Sequence, residues 1–202
     1  MPTIVSWAVR GLAGSTLGAG SAEAAFCDAA REVRAGTLKT TEDVLAHRGI
    51  AALVPSDAAF ETDFKTWRST RASTLRYLMR ALELQERGDA EPEMVVNENV
   101  DSVNLEHVLP KSAKLGDWPN FSDEDKRVYV DRIGNVCLLQ KGPNGRIGNK
   151  SWAIKKPILA ASTLRLTAAV VAAADWTKAE IDARQISLAA LAVQTWPRSP
   201  RS

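Results

Sequence analysis

Apolar positions in the first part of the chain recur at helical spacing. In "SAEAAFCDAAREVRAG", Phe26, Ala29, Ala30 and Val33 fall on one face, and Gly36 supplies a stop. "TTEDVLAHRG" reads as a short helix with a threonine cap and a glycine end. Phe60, Phe64 and Trp67 stand at i, i+4 and i+7, and Leu75, Leu78, Met79 and Leu82 form a second stripe in "STLRYLMRALELQER". Stripes of this kind are core-packing faces. "GDAEPE" then breaks the helical run, and the period changes. "MVVNENVDSVNLEHVL" holds β-prone pieces around a polar turn, and "IGNVCLLQ" is a short apolar strand. Between them "SDEDKRVYVDRI" is helical, with Ser122 and Asp125 at capping-box spacing. "GPNGRIGNKSW" is rich in turn residues. Three helical segments follow. The last opens with Thr177 and Glu180 at capping-box spacing and turns Leu188, Leu191, Ala192 and Trp196 inward.

Composition changes this picture little. The chain has 202 residues, 45% hydrophobic and 25% charged, as in ordinary globular proteins, and its net charge of +2 selects no partner. No apolar run is long enough to cross a membrane. The N-terminal "MPTIVSWAVRGLAG" lacks the basic start and sustained apolar core of a signal peptide. Cys27 and Cys137 form no CxxC pair, which argues against a structural zinc site or a disulfide framework and fits a reducing, cytoplasmic setting. "GLAGSTLGAGS" lacks the preceding strand and following Lys-Ser/Thr of a phosphate loop.

Candidate chemistry lies in "NLEHVLPKS". With only His47 and His107 available, a multi-histidine metal site is excluded. His47, just before Gly49, reads as a residue at the C-terminal end of a helix. His107 follows Glu106 at the end of an apolar run and stands three residues before Pro110, which would end the strand. Asn135 comes later in "GNVCLL", and nine residues on Asn144 stands in "KGPNGR". A strand ending in Glu-His, a long connection, a strand opening with Gly-Asn, then a turn and a helix carrying Asn resembles the HNH, or ββα-metal, nuclease motif. "LRYLMRALE", "NLEHVLP", "RIGNVCLL", "NKSWAIKKPILAAS" and "IDARQISLAALAVQTWP" together resemble, in order, the C-terminal nuclease region of GmrSD-type enzymes, which are modification-dependent or phage-defence nucleases.

The resemblance implies a mainly α fold with a small ββα-metal core embedded in it. A helical region would occupy residues 1–90, the HNH core with C-terminal helices 91–196, and a disordered tail 197–202. It implies DNA as substrate and an N-terminal nucleotide-hydrolysing sensor domain or partner subunit absent from this chain, in which no Walker-type loop is visible. It also implies that Asn135 orients His107 through a hydrogen bond.

The residue chemistry is consistent with this. A neutral histidine can take a proton from water near its ordinary pKa of about 6.5, below which the rate would fall. A single hard cation can hold the scissile phosphate and stabilise the leaving oxygen. Glu106 and the Asn144 amide are oxygen ligands suited to Mg²⁺ or Mn²⁺, with Asn149 an alternative to Asn144. The family often has an aspartate or histidine before the key histidine; the glutamate here is longer. From Lys141 to Lys156 the chain carries Lys141, Arg146, Lys150, Lys155 and Lys156 and no acid, a natural phosphate-contacting surface. Trp152 within it reads as core. The expected activity is metal-dependent cleavage of DNA, as nicks or double-strand breaks, in restriction or anti-phage defence; one site cuts one strand, so nicking is the default and a double-strand break needs dimerisation or two events. The alternatives are a catalytically silent DNA-binding module with the same basic surface, an RNA-directed nuclease, and a helical interaction protein with no ordered ββα unit.

Overall fold

The computed structural model describes residues 3–88 and 103–199. It is mainly helical and divides into two compact units, one of Met1–Lys65 with Ala192–Ser202 and one of Thr66–Leu191. The boundary expected near residue 90 lies outside the described residues, as do the β-prone "MVVNENVDS" piece and tail residues 200–202. The helix before residue 90 belongs to the second unit because its apolar face packs on that unit's strands. No helix among the described residues is long and apolar enough to cross a membrane.

The first unit holds α1 (Thr3–Ala13), α2 (Ala19–Arg34), α3 (Thr41–Ala46), α4 (Arg48–Leu53) and α5 (Asp57–Phe64). The buried stripe of α2 runs through Ala25 and Ala29 with Ala22 and Phe26 beside them; Ala30 is exposed and Val33 is 49% exposed. The stripe is set a turn earlier than expected because α2 packs on α4, where a Cβ on Gly49 would meet Ala25 Cβ at 2.9 Å. Thr40 and Asp43 cap α3 with a full capping box, but the helix ends at His47 and Gly49 lies inside α4. Phe60 and Phe64 are fully buried, edge to face at 5.7 Å. Trp67 lies beyond the end of α5 and belongs to the second unit, so the i+7 stripe is broken. The buried Arg10 donates to Trp196 O (2.7 Å), Pro55 O (3.1 Å) and Asp57 Oδ1 (2.6 Å), fastening the chain's C-terminal segment within this unit.

The second unit opens with α6 (Ala72–Arg87), whose Leu75, Leu78, Met79 and Leu82 are all buried, as the pattern predicts. Then come β1 (Val103–His107), α7 (Asp123–Tyr129), β2 (Val136–Gln140), α8 (Lys141–Ile147), α9 (Trp152–Ala160), α10 (Arg165–Ala168) and α11 (Lys178–Thr195), which belongs to this unit as far as Leu191. The strands pair antiparallel, with Val103 opposite Gln140 and His107 opposite Val136. The turn-rich "GPNGRIG" is helical from Lys141, directly after β2. Val136 to Leu139 are all buried, which explains an unbroken apolar run where a half-exposed strand would alternate. Val108, Leu109, Trp118, Leu139, Ile147, Leu159 and Ile181 join the core beneath, each buried side chain worth roughly 1.5–3 kcal/mol.

The turn before β2 is held from α11. Arg184 donates to Gly134 O (2.7 Å) and Val136 O (2.8 Å), and Gln185 Oε1 accepts from Gly134 N (3.1 Å) and Arg132 Nε (2.9 Å). A Cβ on Gly134 would stand 2.3 Å from Ile181 O, so only glycine permits this approach.

Candidate active site

β1 delivers His107 at its last position, and the chain then leaves the strand under the control of Asn135. Val108 N donates to Asn135 O at 2.9 Å. The Asn135 side chain is fully buried and uses both ends of its amide. Oδ1 accepts from Leu109 N (2.8 Å) and Trp176 Nε1 (3.1 Å), while Nδ2 donates to Leu109 O and Val130 O, both at 2.9 Å. None of these bonds reaches the His107 ring. Asn135 therefore does not orient the imidazole directly, as the resemblance implied. It joins the exit of β1 to the segment after α7, and so sets Asp131 opposite His107.

His107 Nε2 and Asp131 Oδ1 are 3.7 Å apart. Both atoms are buried and neither has a hydrogen-bond partner. Lys111 Nζ forms an ion pair with the same Asp131 oxygen at 3.2 Å from a half-exposed position. Burial lowers the His107 pKa to about 4, helped by the charge of Lys111; the pull of Asp131 in the other direction is weaker. The imidazole is neutral at neutral pH. Sequence reasoning missed Asp131, which sits in the turn just after α7. Its only signal was an acid four residues before Asn135 in "VDRIGN".

Glu106 points to the other side of β1, as adjacent strand residues must. Its carboxylate is ion-paired with Lys155 Nζ, which also donates to His107 O at 2.7 Å. Lys155 is 0% exposed and Glu106 7%. Burial pushes the Glu106 carboxyl up and the Lys155 ammonium down, and their mutual attraction opposes both shifts. Two expectations are corrected here. Glu106 is not free to ligate a cation, because an ammonium already occupies its carboxylate. Lys155 is not a surface phosphate contact, because it is enclosed in the core.

The rest of the expected basic surface is thin. Lys156 donates to Ala173 O at 2.7 Å and lies 5.7 Å from the centre of the Trp152 ring. Lys150 is exposed, and the side chains of Lys141 and Arg146 lie outside the described residues. Trp152 is core, stacked on Trp176 at 5.5 Å. Asn144, on α8, donates Nδ2 to Leu105 O at 3.1 Å, and its Oδ1 has no partner among the described residues. Asn149 is exposed beyond Gly148, which ends α8 with φ +41°.

The donors near His107 suit a hard cation only in a sparse way. Among the described residues no group of three or more His, Cys, Asp and Glu side chains could hold a metal. Mg²⁺ needs few protein ligands, because it keeps waters and takes phosphate oxygens from its substrate. Asp131 Oδ1, whose only ionic partner besides His107 among the described residues is the half-exposed Lys111, and the Asn144 amide oxygen are oxygens of the kind it takes. Glu106 does not fit.

A comparison with curated proteins gives no match. The family described as "GmrSD restriction endonucleases, C-terminal domain" matches residues 54–191, a span that contains His107, Asp131, Asn135 and Asn144. The chain therefore belongs to the C-terminal domain family of the GmrSD restriction endonucleases, a family of nucleases.

Proposed function

We propose that this chain is a metal-dependent DNA endonuclease of the HNH type, with His107 as general base. The observation that carries the reading is the neutral, hydrogen-bond-free Nε2 of His107 facing Asp131 at the end of β1. The order of β1, β2 and α8, with His107 closing the first strand, Asn135 just before the second and Asn144 on the helix, supports a ββα assignment. His107 Nε2 accepts a proton from the attacking water as the new P–O bond forms and the bond to the leaving 3′ oxygen breaks. Asp131 stabilises the imidazolium so produced. Lys111, half exposed, moves from Asp131 to the incoming phosphate and uncovers the carboxylate. Asp131 and Asn144 are the residues that would hold Mg²⁺ or Mn²⁺. The chemistry a bound cation supplies is neutralisation of charge on the phosphate and the leaving oxygen.

One site cuts one strand, so the product is a nick. In the cell the nuclease serves restriction or anti-phage defence, directed by a nucleotide-hydrolysing sensor domain or subunit. The test is relaxation of supercoiled plasmid by the wild type and by His107→Ala, each with Mg²⁺, Mn²⁺ or EDTA. Cation-dependent nicking that the substitution abolishes is the expected result. Equal nicking by a folded His107→Ala protein would sink the assignment.

A further inference from the structure

Two clefts share Arg127. One, of about 500 Å³, is lined by Arg68, Ser69, Thr70, Arg71, Arg127 and Asp131. The other, of about 440 Å³, is lined by Lys111, Asp123, Lys126, Arg127 and Val130. Arg127 belongs to both, and Lys111 reaches from the second cleft to Asp131 at 3.2 Å. Between them they carry five basic side chains against two acidic ones, Asp123 and Asp131. Asp131, which lines the first cleft, stands 3.7 Å from His107 Nε2.

The segment that carries Arg68 and Arg71 is held by the backbone. Arg68 pairs with Arg132 in an isolated antiparallel bridge, and Ser69 N donates to Asp131 O at 3.0 Å, so the 68–71 segment is tied to the turn that carries Asp131. Arg68 and Arg71 are exposed, and among the described residues neither guanidinium has an acidic partner. Arg127 pairs with Glu124 at 2.8 Å, but both side chains are more than 70% exposed, so this is a screened surface pair that a phosphate can displace. A guanidinium fork matches phosphate oxygens in a bidentate fashion. The basic run first expected to do this offers far less, with Lys155 enclosed and Lys156 bonded to a backbone carbonyl.

We propose that the Arg68–Arg71–Arg127 cleft seats the backbone phosphates of duplex DNA flanking the phosphate presented to His107. The proposal rests on the nuclease reading for its substrate. It differs from that reading in naming the surface, formed by the segment before α6 and by α7, along which the strand enters.

The experiment is fluorescence anisotropy of a labelled DNA duplex in EDTA, over a salt series, with the full chain. The variants are the triple R68A/R71A/R127A and a charge-matched control, R31A/R34A/R48A, at exposed arginines of α2 and α4 in the other unit. All six positions are exposed, and circular dichroism checks that each variant is folded. The triple variant should bind tenfold or more weakly at moderate salt. Its plot of log K against log salt should flatten by roughly 0.9 for each phosphate it no longer neutralises, while the control stays at wild-type values. Wild-type slope and affinity in the triple variant would overturn the proposal, as would equal flattening in the control or no DNA binding by the wild type. Plasmid nicking run in parallel separates the two ideas. Nicking by a wild type whose binding ignores the three arginines removes the cleft and leaves the nuclease. Arginine-dependent binding without nicking by the wild type keeps the cleft and removes the nuclease.

Discussion

His107 is a base whose charged form is opposed from two sides, by burial and by Lys111. The general-base role proposed for it predicts that His107→Ala lowers the nicking rate by about 10²–10⁴-fold with the fold retained. The acid limb of the rate should lie well below the pH of about 6.5 expected from an ordinary histidine, because the folded-state pKa is lowered to about 4. The same shift has a consequence for stability. Its folded pKa is depressed, so the contribution is complete above about 6.5 and is lost as pH falls from there towards 4, in total ~3 kcal/mol. The urea midpoint of the metal-free wild type should therefore fall relative to that of His107→Gln as pH drops from about 6.5 towards 4. Asp125 does not confuse the window: its hydrogen bonds from Ser122 and Lys178 hold it at about 2. A constant difference across the range would mean that His107 titrates normally. Lys111→Ala should move the imidazole pKa upward, which two-dimensional NMR can follow because the chain has only two histidines.

At the scale of elements, the site depends on two buried joints. Asn135 fastens the exit of β1 to the segment after α7, and Asn135→Ala leaves Leu109 N and Trp176 Nε1 without acceptors in the core. At about 1–3 kcal/mol for each stranded group, we expect a loss of about 3 kcal/mol or more by thermal or urea unfolding. The Glu106–Lys155 pair is the second joint. Lys155→Met should cost roughly 3–5 kcal/mol, since it strands a carboxylate in the core, while the double change Glu106→Gln/Lys155→Met should cost less than the single change. If the two single costs simply added, the pair would not be coupled. What the sequence disclosed at this scale was local. Capping boxes at Thr40 and Ser122 and the apolar strand Val136–Leu139 are written in neighbouring residues, so they could be read. Lys155 could not, because its burial depends on a carboxylate 49 positions earlier. Asp131 could not either: it becomes notable only when Asn135 brings its turn against the end of β1.

At the scale of the whole molecule, the family match begins at residue 54 and the second unit at Thr66, so nearly all of the matched span lies in the unit that carries His107. A break in helical pattern, as at "GDAEPE", marks the end of an element, whereas a compact unit is defined by what its apolar faces pack against. Arg10→Met tests the separation of roles. It removes three side-chain donations in the first unit, to Trp196 O, Pro55 O and Asp57 Oδ1, and should lower stability by roughly 2–4 kcal/mol. Nicking per folded molecule should stay at the wild-type level; a selective loss of turnover in fully folded protein would contradict that separation. The stacked Trp152–Trp176 pair has an optical consequence. Two indoles 5.5 Å apart couple their electronic transitions, so the protein should show an exciton couplet in circular dichroism. Trp176 is also the indole that donates to Asn135. The couplet thus reads out, without label or substrate, whether the joint beneath His107 is intact.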